Sequence, residues 1–170
     1  MPVISKPLLA LFILSFMICH LAISQVRFPV GMSAELNFVL TDLQNKKNNL
    51  QQSKGKVIII HQWATWCSPC KKEEPSLQNF YNEYQNEIAL FMISEENTKR
   101  LKNYKEKNKT HLPYYTVGGK NQHLPKMYFS ETIPVSYIIS KKGEVRMIAN
   151  GALDWQSEAV QKFIEKLIDE

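Results

Sequence analysis

Runs of apolar residues mark the strands of a buried sheet. The segments 57–60 and 88–93 are apolar throughout, and the first continues through His61 to Trp63. Such runs are typical of central strands that are covered on both faces in α/β proteins. In the segment 36–41 apolar residues occupy every second position, which predicts a strand with one buried face. The polar segment 42–49 predicts a turn.

Helical spacing of apolar residues marks three further segments. The segment 71–85 predicts a helix whose apolar face packs on the sheet, and the segment 98–107 predicts a second helix. After Asp154 apolar residues recur at steps of three and one, which predicts a terminal amphipathic helix. These residues are Val160, Phe163, Ile164, Leu167 and Ile168.

Shorter elements complete the pattern. The segment 113–117 predicts a short strand, and 121–128 predicts a short helix. The segments 135–140 and 144–149 predict a β-hairpin joined by Lys141-Lys142-Gly143. The resulting order β, β, α, β, α, β, α, β, β, α predicts one α/β domain with a mixed sheet and helices packed against it.

The motif Trp66-Cys67-Ser68-Pro69-Cys70 lies where the apolar strand ends and the first helix begins. A Cys-x-x-Cys pair at such a junction indicates a thioredoxin-like redox motif. A zinc site would normally need four ligands, and the chain has no second cysteine pair. A structural disulfide is an alternative, but it would close a very short loop and stabilise the protein little.

The position of the motif predicts different tasks for its two thiols. Cys67 is at the helix start, where unpaired N–H groups and the helix dipole favour a negatively charged sulfur. Cys70 is one turn further along, and we expect it to be more buried and to attack a mixed disulfide on Cys67. Pro69 suits a first helical turn and restricts the geometry of the pair.

The first 24 residues have the layout of a secretory signal peptide. Lys6 is their only charge, the segment 8–19 is an apolar run with one polar residue, and small residues occupy positions 22 and 24 before Gln25. An uncleaved membrane anchor is the alternative, but a membrane span needs about 20 apolar residues, and His20 interrupts the apolar run before that length is reached. Modification of Cys19 by lipid is a third possibility.

Composition and charge restrict the remaining classes. After a linker over 25–33, the segment 34–170 has the length of one domain, and the 44% hydrophobic content of the chain suffices for a core. The net charge of +5 becomes +4 once Lys6 is removed. Basic residues crowd the segment 99–109, but glutamates accompany them, which favours a solvated helix face over a nucleic-acid or lipid site.

These motifs resemble the thioredoxin superfamily and, within it, the exported TlpA/ResA-like thiol–disulfide oxidoreductases. The similarity extends from Glu35 to the C-terminus and is strongest over 55–75. The segment 132–135 is at the place of the family's cis-proline loop, and 151–155 is similar to the family's segment before the last helix. The resemblance implies a thioredoxin-like fold with an extra strand–helix insertion over 113–128.

The resemblance also implies roles for residues. It implies a cis peptide bond between Ile133 and Pro134, since proline lowers the free-energy cost of the cis form to about 1 kcal/mol or less. It also implies that the backbone of Ile133 pairs with the bound substrate. Trp66 and Ile133 then form an apolar rim beside the sulfur of Cys67, and Cys70 resolves the mixed disulfide. The centre needs no organic cofactor and no metal. The implied partners are exported cysteine-containing proteins such as apocytochromes, and a membrane thiol–disulfide transporter that exchanges electrons with the pair.

One position departs from thioredoxins. Their buried carboxylate, six residues before the first cysteine, is replaced by His61. A buried imidazole could relay a proton to Cys70, or it could be a neutral core histidine bound to the backbone. Glu73 matches a glutamate that supports the motif in the family, and a solvated helix face is the alternative for it.

Other classes of function fit less well. A peroxiredoxin would need Pro and Thr where Ile60 and Ala64 stand. A copper-binding metallochaperone could hold Cu(I) with Cys67, Cys70 and one histidine. A non-catalytic binding module has no need of both cysteines. The first hypothesis is a periplasmic, or otherwise extracytoplasmic, reductase of substrate disulfides.

Overall fold

The computed structural model describes residues 26–27, 31–117 and 123–170, with only the backbone described at 26–27. The segment 1–24, interpreted above as a signal peptide, lies outside the described residues, as do Gln25 and the first two residues of the helix predicted over 121–128. Within the described ranges no helix combines the length and the apolar character that a membrane span requires.

The centre of the sheet is built from the strands that the apolar runs predicted. Strand β5 (Val57–Gln62) pairs in parallel with β6 (Ile88–Ser94) and antiparallel with β8 (Val135–Ile139). Strand β9 (Glu144–Asn150) follows β8 as the predicted hairpin. All five residues of β8 are buried, because neighbouring strands and packed layers cover the sheet on every side.

The outer part of the sheet contains one strand that the sequence did not predict. Strand β7 (Tyr114–Thr116) pairs in parallel with β6, and β3 (Val39–Asp42) pairs antiparallel with β7. Strand β4 (Lys47–Asn49) then pairs with β3 at the edge. The prediction of a turn over the whole of 42–49 was therefore wrong. An edge strand can be polar because half of its surface faces solvent, so hydrophobic patterning does not reveal it.

Two short strands lie in the segment that was predicted to be a linker. Strand β1 (Val26–Arg27) and strand β2 (Met32–Ser33) both pair antiparallel with β9. Among the described residues the sheet has the order β1-β9-β8-β5-β6-β7-β3-β4, with β2 alongside β9. The division of the chain into leader, linker and domain stays a prediction.

Three α-helices are found in the predicted segments. They are α1 (Ser68–Tyr84), α2 (Thr98–Asn108) and α3 (Glu158–Asp169). Helix α1 begins earlier than predicted because Cys67 caps it and Pro69 occupies its first turn. The short helix predicted over 121–128 was wrong in extent, since the described part contains only a 3-10 turn at Lys126–Tyr128.

The core has two parts, one on each face of the sheet. Side chains from all three α-helices join the cluster on one face, which also contains Cys67 and Cys70. The other face is covered by loops and 3-10 turns that contribute Leu36, Leu50 and Tyr128. This mixed sheet, with a strand and a 3-10 turn inserted before the cis-proline loop, confirms the thioredoxin-like fold that the resemblance implied. The cysteine pair thus lies at one end of the helix-covered face.

Candidate active site

The cysteine pair lies at the start of α1, as predicted. Cys67 is the N-cap residue, and the backbone N–H of Cys70 points to its Sγ at 3.2 Å. The two residues are joined as a disulfide with their Cα atoms 5.3 Å apart. In the reduced protein the same N–H and the positive end of the helix would stabilise a thiolate on Cys67.

Both cysteines are equally covered by the protein. Cys67 and Cys70 each expose 3% of their surface, so the expectation that Cys70 is the more buried residue was wrong for this disulfide state. The carbonyl oxygen of Ile133 lies 3.8 Å from the Sγ of Cys67 and covers it from one side. Trp66 beside it is 65% exposed. The buried sulfur of Cys67 is thus covered by the Ile133 backbone, and its chain neighbour Trp66 presents an exposed ring.

The loop opposite the pair contains the predicted cis peptide bond between Ile133 and Pro134. Pro134 is buried, and its carbonyl oxygen accepts a hydrogen bond from the N–H of Gly151 at 2.8 Å. Gly151 has a φ of +97°, a conformation that favours glycine over other residues. The loop is thus joined to the end of β9, and it holds the backbone of Ile133 beside the sulfur of Cys67.

Glu73 is buried, which corrects the alternative of a solvated helix face. One carboxylate oxygen accepts the indole N–H of Trp155 at 3.2 Å, and the other accepts the backbone N–H of Leu153 at 3.0 Å. Glu73 lies three residues after Cys70 in α1, so the two side chains are neighbours on one helix face. The segment before the last helix therefore holds a carboxylate next to the second cysteine.

His61 contacts this carboxylate rather than the cysteine. Its Nε2 lies 3.3 Å from a carboxylate oxygen of Glu73, and its Nδ1 lies 2.8 Å from the hydroxyl of Ser136, its cross-strand partner. No hydrogen bond joins His61 to Cys70 in the disulfide form. Glu73, which contacts His61 and lies one helical turn from Cys70, is placed between the two in the chain of neighbouring side chains.

Burial has opposite effects on the two members of this pair. It lowers the pKa of His61 to about 3, and it raises the pKa of Glu73 to about 7, although the hydrogen bonds from Trp155 and Leu153 act in the other direction on Glu73. Between these values the pair holds one proton, as expected for coupled groups.

Ser136, His61 and Glu73 contact one another in the order in which a hydrolase triad arranges its serine, histidine and acid. All three are buried, with Ser136 1% exposed, so they form an internal proton network and no accessible nucleophile.

Sequence reasoning missed a second carboxylate that holds the loop before the motif. Glu96 accepts the backbone N–H of Thr65 and its hydroxyl, both at 2.7 Å. Arg100 pairs with Glu96 at 2.7 Å and donates to the Thr65 hydroxyl at 3.0 Å. These contacts fix the residue that precedes Trp66. The sequence did contain one indication of this contact. Glu96 follows strand β6 just as Thr65 follows strand β5, and the ends of these two neighbouring parallel strands lie at the same edge of the sheet.

A further carboxylate, Glu74, is buried and was also missed. Its two oxygens accept hydrogen bonds from the hydroxyls of Tyr104 at 2.5 Å and Tyr114 at 2.7 Å. Burial and the adjacent carboxylate raise the pKa of both tyrosines, so both stay protonated donors. Trp63 packs against these two rings, with centroids 5.0 and 4.8 Å away. Glu74 thereby ties α1 to α2 and β7.

Donor groups for a metal are few near the thiols. Across the described ranges 31–117 and 123–170, no group of three or more His, Cys, Asp or Glu side chains has the proximity that a metal ion requires. A soft Cu(I) ion at the pair would therefore have two thiolates and no third such ligand from the described residues.

Comparisons with known proteins agree with this geometry. The model of the AhpC/TSA family matches residues 30–148. The thiol-disulfide oxidoreductase ResA of Bacillus thuringiensis strain Al Hakam is 33% identical over 121 residues, which cover 70% of this chain and 68% of that protein. ResA of Bacillus thuringiensis subsp. konkukian is 29% identical over 143 residues, with 83% and 80% covered.

The fold is also found among solved structures. A thiol:disulfide interchange protein of the thioredoxin family from Chlorobium tepidum superposes with a TM-score of 0.66 at 22% identity, covering 81% of this chain and 96% of the other. Together, the Cys-x-x-Cys pair at a helix start, the facing cis-proline loop and these matches establish that the chain belongs to the AhpC/TSA family and is a ResA-like thiol–disulfide oxidoreductase with thioredoxin-like fold.

Proposed function

We propose that this oxidoreductase works outside the cytoplasm, in the periplasm or an equivalent compartment, and reduces disulfides of exported cysteine-containing proteins. The observation that supports this most directly is the cysteine pair at the start of α1, where the backbone of Ile133 lies 3.8 Å from the Sγ of Cys67. This arrangement presents one sulfur and one strip of backbone at the same edge. A polypeptide disulfide can therefore bind and react at a single place.

The first half of the reaction begins with the thiolate of Cys67. It attacks one sulfur of the substrate disulfide, so a bond forms between that sulfur and Cys67, and the other substrate sulfur leaves as a thiolate. The N–H of Cys70, 3.2 Å from the Cys67 sulfur, stabilises the attacking charge. The exposed ring of Trp66 and the side chain of Ile133 form an apolar rim for the incoming chain.

The second half releases the substrate. Cys70 loses its proton and attacks the Sγ of Cys67, which forms the intramolecular disulfide and expels the second substrate thiolate. Two electrons have then passed from the dithiol to the substrate. We propose a membrane thiol–disulfide transporter as the partner that returns two electrons to the Cys67–Cys70 disulfide.

The proton of Cys70 is accepted, in this proposal, by the pair of Glu73 and His61. Glu73 is the neighbour of Cys70 on the helix face, and His61 contacts Glu73 at 3.3 Å. A carboxylate in a buried site with raised pKa is a suitable proton acceptor near neutral pH. His61 acts as a positioning residue that shares the proton and does not itself contact the sulfur.

Substitution of each cysteine tests the assignment. Cys67→Ser should abolish the reduction of insulin, whereas Cys70→Ser should accumulate a mixed disulfide with the substrate, visible as a covalent adduct on a non-reducing gel. The doubly substituted chain is the control for non-specific adducts. Insulin reduction that survives in Cys67→Ser would overturn the assignment.

The extracytoplasmic location has a separate test. We expect native material to begin at Gln25 and to lack Cys19. N-terminal sequencing that finds Met1 would favour the membrane anchor, and a lipidated Cys19 would favour a lipoprotein. Either result would change the attachment of the protein without changing its chemistry.

The alternative function, a copper-binding metallochaperone, predicts a different result. We expect the reduced protein to retain neither Cu(I) nor Zn(II) against a competing chelator, since two thiolates under the Pro134 loop offer an incomplete ligand set. Stoichiometric copper that stays with the reduced protein, and is lost in Cys67→Ser, would make copper binding the leading hypothesis.

A further inference from the structure

A groove begins at the redox centre and continues away from it along the protein surface. Its part nearest the cysteines has a volume of about 340 Å³ and is lined by Trp66 and Ile133 among others. A larger depression of about 670 Å³ adjoins it, and Phe129 lies along its wall. The two depressions share Leu124 and Glu95 among their lining residues, so they form one continuous groove.

Each part of this groove is lined by an exposed aromatic residue. Trp66 is 65% exposed and Phe129 is 76% exposed, and Met32 at 42% is the one other large apolar side chain found exposed in the part of the chain that the structure describes. Single exposed apolar residues are ordinary, but two rings along one groove mark a binding surface. Aromatic anchors of this kind supply much of the affinity in protein recognition.

The spacing of Phe129 and Ile133 fits a short extended peptide. Phe129 precedes Ile133 by four residues, so their Cα atoms are at most about 14 Å apart. An extended chain rises about 3.3 Å per residue. Since Ile133 adjoins the reactive sulfur, a substrate residue up to about four positions from its cysteine can reach Phe129.

Charge at the near end limits what the occupant can be. Glu95 and Glu131 line the part of the groove next to the cysteines, and both side chains are exposed. Neither forms an ion pair with another described residue. The third carboxylate there, Glu96, is already occupied by Thr65 and Arg100. A basic side chain beside the substrate cysteine would be attracted here, and an acidic one repelled.

We propose that the groove binds the cysteine-bearing segment of a substrate polypeptide in extended conformation, with an apolar side chain about four residues from the cysteine against Phe129 and a basic side chain near the cysteine against Glu95 and Glu131. The proposal rests on the reductase function stated above, and it specifies which substrates that function prefers. The occupant is unfolded polypeptide, because a folded surface would not follow the groove with extended backbone.

Peptide disulfides test the apolar contact. The probes are peptides whose single cysteine carries thionitrobenzoate, with Phe or Ala placed four residues before or after the cysteine, and DTNB is the small-molecule control. The reduced full chain should react about tenfold faster with one of the two Phe peptides than with its Ala counterpart. Phe129→Ser should reduce this ratio to nearly one, and Phe129→Leu should keep most of it. Met32→Ser, the matched control, should leave it unchanged.

Charge is tested with a second pair of peptides, which carry Lys or Glu next to the cysteine. The wild-type chain should prefer the Lys peptide about fivefold at low salt, and Glu95→Gln combined with Glu131→Gln should remove the preference. DTNB is too small to reach Phe129, so it should react at the same rate with wild type, Phe129→Ser and Met32→Ser. Because DTNB carries two carboxylates, it should react faster with the variant that lacks the charges of Glu95 and Glu131.

The outcomes separate the groove from the function. A wild-type chain that reduces DTNB and all peptides at equal rates would overturn the groove and leave the reductase intact. A chain that reduces none of these probes would overturn both. If Phe129→Ser instead converts a dimer into a monomer in sedimentation experiments, the groove is an interface between two copies and the proposal fails.

Discussion

Glu73 and Glu74 are adjacent in the sequence and both are buried, yet helix α1 points them into different surroundings. Glu73 meets His61, the indole of Trp155 and a backbone N–H. Glu74 meets two tyrosine hydroxyls that stay protonated. One carboxylate therefore has a partner that can exchange a proton with it, and the other has partners that can only donate hydrogen bonds.

The difference separates chemistry from architecture. A buried carboxylate beside a base, one turn from Cys70, is suited to moving a proton. A buried carboxylate held by two hydroxyls on α2 and β7 is suited to fixing the position of α1. Variants of the two residues should consequently fail in different assays, and each prediction below tests one side of this division.

The largest effect is expected on the structural side. Glu74→Ala should lower the free energy of unfolding by about 3 kcal/mol, because it removes the acceptor of the Tyr104 and Tyr114 hydroxyls and opens a void, although the Tyr114 hydroxyl keeps Thr110 as a partner at 3.2 Å. Urea unfolding at pH 7 measures this. Glu87→Ala, at an exposed site just beyond the same helix, should change stability by less than about 0.5 kcal/mol. A stable Glu74→Ala protein with altered resolution by Cys70 would reverse the assignment of the two carboxylates.

On the proton side, pH dependence is the discriminating measurement. In Glu73→Gln, His61 of the folded protein stays neutral, because its pKa is lowered to about 3. His61 of the unfolded chain binds a proton below pH 6.5, so the free energy of unfolding should fall as the pH falls through 6.5. In His61→Asn, Glu73 of the folded protein binds a proton at about pH 7, because its pKa is raised to about 7. Glu73 of the unfolded chain binds a proton only near pH 4.5, so the free energy of unfolding should rise as the pH falls from 7 to 4.5.

For each variant the free energy of unfolding should change with pH by at most about 1.4 kcal/mol per pH unit. Near pH 5 it should therefore differ from its value at pH 7 by about 2 kcal/mol, with opposite signs in the two variants. In the wild-type chain the two contributions oppose each other, because folded and unfolded pairs each hold one proton between pH 4.5 and 6.5. Denaturant unfolding at several pH values measures the slopes. Parallel curves for the two variants would contradict the coupled pair.

A kinetic effect of about tenfold is expected at the redox centre. His61→Asn should fold, should keep the first attack by Cys67, and should slow resolution by Cys70, most visibly at low pH. In the wild type a protonated Glu73 can pass its proton on to the neutral His61 and accept another, and the variant lacks this route. Quenched-flow analysis of the mixed disulfide measures the step. If the resolution rates of variant and wild type coincide from pH 5 to 8, His61 is a neutral core residue, as the alternative interpretation held.

The smallest effect should come from Ser136. Ser136→Ala removes the partner of the His61 Nδ1 atom and should cost about 1 kcal/mol in urea unfolding. Resolution by Cys70 should stay within about twofold of wild type, since the Nε2 atom that faces Glu73 keeps its contact. A loss as large as that of His61→Asn would show that the hydroxyl belongs to the proton path.

Neighbouring residues show how far sequence reasoning reaches at this site. The sequence predicted Cys67 at a helix start and His61 on a buried strand, and the family resemblance implied the cis bond before Pro134. The structure confirms these three placements. It did not distinguish Glu73 from a solvated residue. A polar residue in an amphipathic helix is normally exposed, and no periodicity reveals that a partner from another segment lies above it.

Local sequence alone determined the central strands, the helices and the redox motif, because each depends on neighbours within a few residues: apolar runs, helical spacing, a cap and a proline. Tertiary structure decided what surrounds the motif. Trp155 reaches Glu73 across 82 residues of chain, and Tyr114 reaches Glu74 across 40. Edge strand β4 likewise exists because β3 offers unpaired backbone groups. Such partners meet only when the sheet and helices have packed, so the environment that sets a pKa or buries a carboxylate is a property of the fold.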